Sequence, residues 1–275
     1  MEKSSIPFNS SAAAPEKSLN QQWQSFQKES ISQLRADTCI VVPCYNEADR
    51  LVLDPYKQFF KQEASQGIVF LFVDDGSTDE TEKILSSWKE LFPEKCSMFR
   101  LKKNSGKAEA VRQGVLMALQ NPDFCRIGYW DADLSTPLED IVSFREILRT
   151  HPELLLLMGN RNKRLGCAVE RSMMRHYTGR LAATLISLKL NLPVYDTQCG
   201  AKLFCRELVE KVFRTPFKTS WLFDAELLMR LSRSDGRDFV LNHVWEVPVS
   251  MWKDRSGSKM KFIQGGVQLL HFLML

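Results

Sequence analysis

The chain has 275 residues, enough for one sizeable α/β domain with a tail. Hydrophobic residues at 44% and charged residues at 25% are ordinary for a globular protein and exclude both global disorder and a polytopic membrane protein. A net charge of +4 says little by itself, the distribution of charge along the chain being uneven, and no nucleic-acid partner is expected.

Residues 1–36 carry eight serines and no apolar run of the kind a secretory signal needs, so a flexible tail is expected there. Within it, Leu19, Trp23, Phe26 and Leu34 fall near helical spacing, as in a helix lying on the protein body or on a membrane. The stretches TCIVVPCYNE and IVFLFVDDGSTDE each open on a β-type apolar run, pass through a polar turn and lead into helical spacing. Residues 77–80 read as a capping box opening a helix to about Leu91, and residues 136–139 repeat the device with proline at the first helical position. SMFRLKK, CRIGYW and ELLLLMG read as further strands and AEAVRQGVLMAL as a helix, which predicts a mostly parallel sheet with helices on both faces. At the end of the chain, residues 262–275 are apolar but shorter than the roughly 20 residues of a spanning helix. They are expected to be a core helix or a juxtamembrane segment.

Seven cysteines without a CxxC pair or a nearby histidine at metal spacing point to neither a disulfide framework nor a zinc site. No GxGxxG follows the first strand and no GxxxxGK(S/T) is present, so dinucleotide and P-loop cradles are absent.

In a parallel α/β sheet the ligand lies at the carboxyl ends of the strands. Three such loops bring Glu47, Asp74, Asp75, Asp79, Asp131 and Asp133 to one edge, a negative rim that needs cations or hydrogen-bond donors. Asp131 and Asp133, one residue apart after an apolar strand, point the same way if the extended geometry continues. Such oxygen ligands suit Mg²⁺ or Mn²⁺, which keep positions open for substrate phosphates. From Arg161 to Arg180 six Lys or Arg face a single acid, Glu170, a candidate anion site.

Taken in order, PCYNEADRL, FVDDGSTDET, NSGKAEAVRQG, DADLS, GNR, DTQCGAKLF and FDAELL resemble the polyprenyl-phosphate (dolichyl-phosphate) glucose and mannose synthases, inverting glycosyltransferases of the Rossmann-like GT-A fold. The likeness covers about residues 38–261, and DTQCGAKLF and WLFDAELL look closer to the glucose synthases. It implies a catalytic domain over 37–261, with a nucleotide-sugar half at about 37–150 and an acceptor half at about 151–261. It implies a hexose, glucose from UDP-glucose, moved with Mg²⁺ or Mn²⁺ to a polyprenyl or dolichyl phosphate at the cytoplasmic face of a membrane, giving a β-linked product. Attachment would be peripheral or through a segment near or beyond the C-terminus.

The resemblance also implies roles. Pro43, Tyr45, Asn46, Glu47, Asp74 and Asp75 would hold the nucleoside, Lys107 would lie near the nucleotide, and Asp131, Ala132 and Asp133 would meet the diphosphate and metal. Arg255, Ser258 and Lys259 would close over the donor. Arg161, Arg171 and Arg175 would receive the acceptor phosphate, Gln198 and Asp224 would lie near the sugar and that phosphate, and Asp131, Asp133, Arg161 and Asp224 would be the catalytic set. Plain structural roles stay open beside these: Tyr45 as a turn aromatic, Asp75 as a turn former before Gly76, Lys107 as a solvated lysine at a helix start, and Asp224 as a helix N-cap. A phosphate acceptor needs no strong general base, because its second pKa lies at about 6. The alternatives are mannose from GDP-mannose, or a glycan or other hydroxyl acceptor, for which Asp224 would be the catalytic base.

Overall fold

The computed structural model describes residues 31, 34–162, 168–170, 173–253 and 262–275. Its centre is a seven-stranded sheet in the order β3-β2-β1-β4-β7-β5-β8. The strands are β1 (Thr38–Cys44), β2 (Ile68–Asp74), β3 (Cys96–Arg100), β4 (Arg126–Trp130), β5 (Leu156–Asn160), β7 (Ala201–Cys205) and β8 (Val244–Pro248). A small parallel pair, β6 (Ala168–Glu170) with β9 (Met251–Lys253), stands apart.

β1 and β2 are near-continuous apolar runs because both faces of the sheet are covered. Their alternation divides the core. Val41, Leu71 and Val73 face one side, with Val111, Val115 and Phe223, while Ile40, Val42, Phe70 and Phe72 face the other, with Tyr56, Trp88 and Phe144. The covering helices are α1 (Leu53–Phe60), α2 (Thr81–Leu91), α3 (Lys107–Ala118), α4 (Glu139–Thr150), α5 (Met173–Leu190), α6 (Arg206–Phe213), α7 (Phe223–Asp235), α8 (Arg237–His243) and α9 (Phe262–Met274).

The sheet is mostly parallel, as the βαβ rhythm predicts, and only β7 runs against its neighbours β4 and β5. The order reverses between β1 and β4, so the carboxyl ends of both border one crevice. β5 and β8 run parallel to each other, and β7, entering from the opposite direction, brings the turn before it to the same edge. Strands from both halves of the chain therefore meet at one rim.

Two helix starts differ from the sequence reading. α2 begins at Thr81 and α4 at Glu139, and neither N-cap residue, Glu80 or Leu138, makes a side-chain capping bond. The hydroxyl of Ser77 instead accepts from Asn46 N at 3.0 Å, which ties two loops together rather than capping a helix. Leu34 packs in the core as its spacing suggested, with Ile31, and Asn121 Nδ2 donates to both of their carbonyls. Leu19, Trp23 and Phe26 lie outside the described residues. α9 docks through buried Phe272 against the same core.

Candidate active site

Asp131 follows β4 at the crevice. Its amide donates to Gly200 O at 2.9 Å, and its carboxylate lies so close to Gly200 that a Cβ on that residue would overlap it, which is why a glycine stands there. Lys107 Nζ is 2.6 Å from Asp131 Oδ1, with both side chains only partly exposed. Burial works against the Lys107 ammonium, but Asp131, with Asp224 further off, outweighs it and holds the lysine above its ordinary pKa. The solvated-lysine reading therefore fails: Lys107 is the first residue of α3 and points at the site.

The loop before α3 is fixed from β2. Asp75 is 3% exposed, and its two oxygens accept from Ser105 N at 2.7 Å and Gly106 N at 2.8 Å. Burial pushes its pKa up, and the two backbone donors only partly offset this. Gly76 beside it, at φ +68°, lies against the backbone of Lys103 at a distance no Cβ would tolerate. Asp75 thus aims Lys107 at Asp131.

The first two loops are zipped together. Asn46, at φ 48°, accepts at Oδ1 from Thr78 N at 2.9 Å, Glu47 N donates to Thr81 Oγ1 at 2.9 Å, and Ala48 N donates to Asp79 Oδ2 at 3.1 Å. Glu47 pairs with Arg50 at 2.6 Å. Asp74 accepts from Ser77 N at 2.9 Å and lies 3.4 Å from Arg100 Nε. The negative rim expected from sequence is thus compensated by the chain's own cations and amides. Pro43 and Tyr45 are half-buried at the end of β1, and Ala132 is buried between the two aspartates.

Asp133 Oδ1 accepts from Ser135 N at 2.9 Å across Leu134, which sits at φ 54°. The left-handed region costs a bulky L-residue about 1–2 kcal/mol, a strain typical of functional turns. Asp131 and Asp133 each bring a hard-oxygen carboxylate to the turn after β4, and among the described residues no group of three or more His, Cys, Asp or Glu that could hold a metal comes together. A two-carboxylate set fits Mg²⁺ or Mn²⁺, which complete their shells with water and substrate phosphate. Lys107 already shows that this carboxylate attracts a cation.

On the other side, Arg161 follows β5. Its backbone N, Nε and Nη2 all donate to Asp196 at 2.8 Å, and its guanidinium lies 5.5 Å from the Trp252 ring centroid. Burial opposes its charge, but Asp196 prevails and holds its pKa above the ordinary arginine value. Asp196 N and Tyr195 N in turn donate to Glu246, a carboxyl whose pKa burial raises. Gln198 is half-buried, its amide 3.3 Å from Thr197 Oγ1.

Asp224 is not a helix N-cap. It is the second residue of α7, 2% exposed, and its Oδ1 accepts from Lys202 Nζ at 2.5 Å and from the Tyr129 hydroxyl. Burial first, and Asp224 second, push the Tyr129 phenol far up. Arg171 and the Arg255, Ser258 and Lys259 loop lie outside the described residues, and of Arg175 only its place on α5 is described. Sequence reasoning missed Lys202, Gly200, Asp196 and Glu246; a lysine inside the apolar run of GAKLF was the available signal.

The profile of glycosyl transferase family 2 matches residues 39–213. The chain belongs to that family. The match runs from β1 through α6 and includes the Asp131–Asp133 pair, Lys107, Arg161 and Lys202. Among curated relatives, the dolichyl-phosphate beta-glucosyltransferase of Dictyostelium discoideum is 29% identical over 245 residues, covering 84% of this chain and 70% of that protein. The enzymes of the same name from Saccharomyces cerevisiae and Trichomonas vaginalis are 29% and 30% identical, covering 86% and 84% of this chain and 72% and 68% of theirs. Among solved structures, glucosyl-3-phosphoglycerate synthase from Mycobacterium tuberculosis in complex with Mn²⁺ and UDP-glucose superposes with a TM-score of 0.61 at 17% identity, over 91% of this chain and 80% of that one. The mannosyltransferase PcManGT from Pyrobaculum calidifontis, in complex with GDP-Man and Mn²⁺, gives 0.57 at 17% identity, over 94% and 72%. This family-2 chain is a glycosyltransferase with the GT-A fold.

Proposed function

We propose that the chain transfers glucose from UDP-glucose to a polyprenyl or dolichyl phosphate, inverting the donor to a β-linked product, with Mg²⁺ or Mn²⁺ held by Asp131 and Asp133. The names of the relatives support the sugar and the acceptor. The observation that carries the reading is the state of Asp224, the carboxylate a hydroxyl acceptor would need as its base: it is buried and engaged by Lys202 and Tyr129. A lipid phosphate needs no such group, being largely a dianion near neutrality.

In this reading residues 37–150 hold the donor. Tyr45, Asn46 and Asp75 border the nucleoside, and Lys107 stands beside Asp131 where the diphosphate charge gathers. The bound cation would stabilise charge on the departing nucleoside diphosphate. Residues 151–261 receive the acceptor: Arg161, oriented by Asp196, with Arg171, Arg175 and Gln198 meets the phosphate, guanidinium groups being suited to it. Arg255, Ser258 and Lys259 close over the donor.

Rate should then follow the acceptor's charge. The dianion is present above its second pKa and lost as pH falls, so turnover is expected to drop about tenfold per unit below roughly pH 6. Transfer to polyprenyl phosphate measured between pH 8 and 5 checks this, and a flat profile across that range would refute a phosphate nucleophile.

No helix among the described residues is long and apolar enough to cross a membrane. Two neighbouring helices nonetheless expose apolar side chains: Leu181 and Leu188 on α5, and Val267, Leu270 and Met274 on α9. Lys189 joins them, donating to Leu273 O at 2.8 Å, and neither helix contains an acidic residue. This face supports peripheral seating on a lipid surface, with the charged acceptor head entering beside it. Leu188→Glu with Leu270→Glu is expected to weaken liposome binding by tenfold or more, since inserting one leucine is worth about 1.5–3 kcal/mol. Transfer to a short, water-soluble acceptor phosphate should persist. Unchanged flotation with liposomes would place the membrane contact elsewhere.

A further inference from the structure

Lys202 belongs to none of the groups assigned to donor, metal or acceptor, yet its side chain has no exposed surface. A buried ammonium is unfavourable unless it is fully partnered. It is the second residue of β7, opposite Tyr129, and its three donors reach three acceptors: Thr197 O at 2.9 Å, Cys199 O at 2.7 Å and Asp224 Oδ1 at 2.5 Å. Pairing with Asp224 would account for the charge alone. The two carbonyls are a separate matter, because they belong to the turn that carries Gln198 and ends at Gly200.

That turn touches the metal-binding edge directly. Gly200 O accepts the Asp131 amide at 2.9 Å, and the Asp131 carboxylate rests on the Gly200 backbone with no room for a Cβ. Direct contacts therefore run from Lys202, through residues 197–200, to Asp131. From the other side Lys107 meets the same carboxylate. Asp131 is thus located by one lysine it touches and by another it does not.

We propose that Lys202 is a positioning residue for transfer: by gathering the Thr197 and Cys199 carbonyls from beneath, it fixes Gly200 and through it the Asp131 carboxylate. The inference rests on the proposal above that Asp131 and Asp133 receive the divalent cation.

The competing account is that Lys202 only neutralises Asp224 within the fold. The double change Lys202→Met with Asp224→Asn separates the two, because it removes both buried charges together and leaves an amide oxygen for the Tyr129 hydroxyl. A second variant, Gly200→Ala, leaves Lys202, Asp224 and Tyr129 untouched and displaces Asp131 from above. The readout is UDP affinity by calorimetry in Mn²⁺ and again in EDTA, with melting temperature as the check on folding. In both variants the affinity in EDTA should match the unaltered protein, while the gain conferred by Mn²⁺ shrinks by about tenfold or more, the scale of one weakened charged contact. Retention of the full Mn²⁺ gain in either folded variant overturns the proposal, Gly200→Ala testing the contact between the turn and Asp131; if the double variant does not fold, the milder pair Lys202→Gln with Asp224→Asn takes its place and is read in the same way. If the unaltered protein binds UDP equally well with and without Mn²⁺, the metal reading itself fails and the inference falls with it. That outcome is read on the unaltered protein alone and so is distinct from a gain that the variants retain.

Discussion

Replacing Asp133 with alanine is expected to lower transfer by about three orders of magnitude, since a metal ion at a departing diphosphate is worth several kcal/mol and each 1.36 kcal/mol is tenfold in rate. The fold should survive. Asp133 lies in an edge turn, and among the described residues its one hydrogen bond is accepted from Ser135 N, at 2.9 Å. Losing that bond costs about 1 kcal/mol, while release of Leu134 from φ 54° offsets part of it. Product formation and thermal melting measured on the same sample check both halves. Near-normal transfer that still requires metal would remove Asp133 from the site.

The second large effect is expected at Asp75, where alanine should lower stability and donor affinity together. The carboxylate accepts from Ser105 N and Gly106 N; Gly106 N keeps Asn104 Oδ1 at 3.0 Å, so alanine strands Ser105 N, and a buried donor left without its partner costs about 1–3 kcal/mol. A loss of about 1–3 kcal/mol, or a drop in melting temperature on the order of 3–10 °C, follows. Because the same loop carries Lys107 to Asp131, nucleotide affinity should weaken at least about tenfold, the value of one charged contact. Calorimetry with UDP distinguishes this from a turn former of no functional weight, which would lower stability and leave affinity unchanged.

The parallel part of the sheet was legible because its strands carry their own signal. β1, β2 and β4 are apolar runs ended by acidic turns, and period and punctuation agree there. Helix starts were less legible. Ser77 has the residue type of a cap, yet it bonds to Asn46, thirty-one positions away in sequence, and no local pattern reveals such a partner.

The site divides in the same way. Asp131 and Lys107 could be singled out from residue type and loop position, and the structure brings their side chains together at 2.6 Å. Asp224 could not be placed, because an aspartate near a helix start looks alike whether it caps the helix or lies beneath a site. Its partners Lys202 and Tyr129 come from strands 22 and 95 positions away. Asp196 and Glu246 escaped notice for the same reason: they act on Arg161 and on a turn rather than on a ligand, and only the packing of β5 against β8 brings them together.

The measurement closest to the central claim offers the protein UDP-glucose and GDP-mannose in turn, with polyprenyl phosphate, polyprenol or a soluble glycan, in Mg²⁺ or Mn²⁺ and again in EDTA. Any lipid product is then analysed for sugar and anomeric configuration by NMR. The expected result is a β-linked glucosyl phospholipid formed from UDP-glucose, only with polyprenyl phosphate and only with metal. Sugar transfer to a hydroxyl acceptor, an α-linked product or undiminished turnover in EDTA would contradict it.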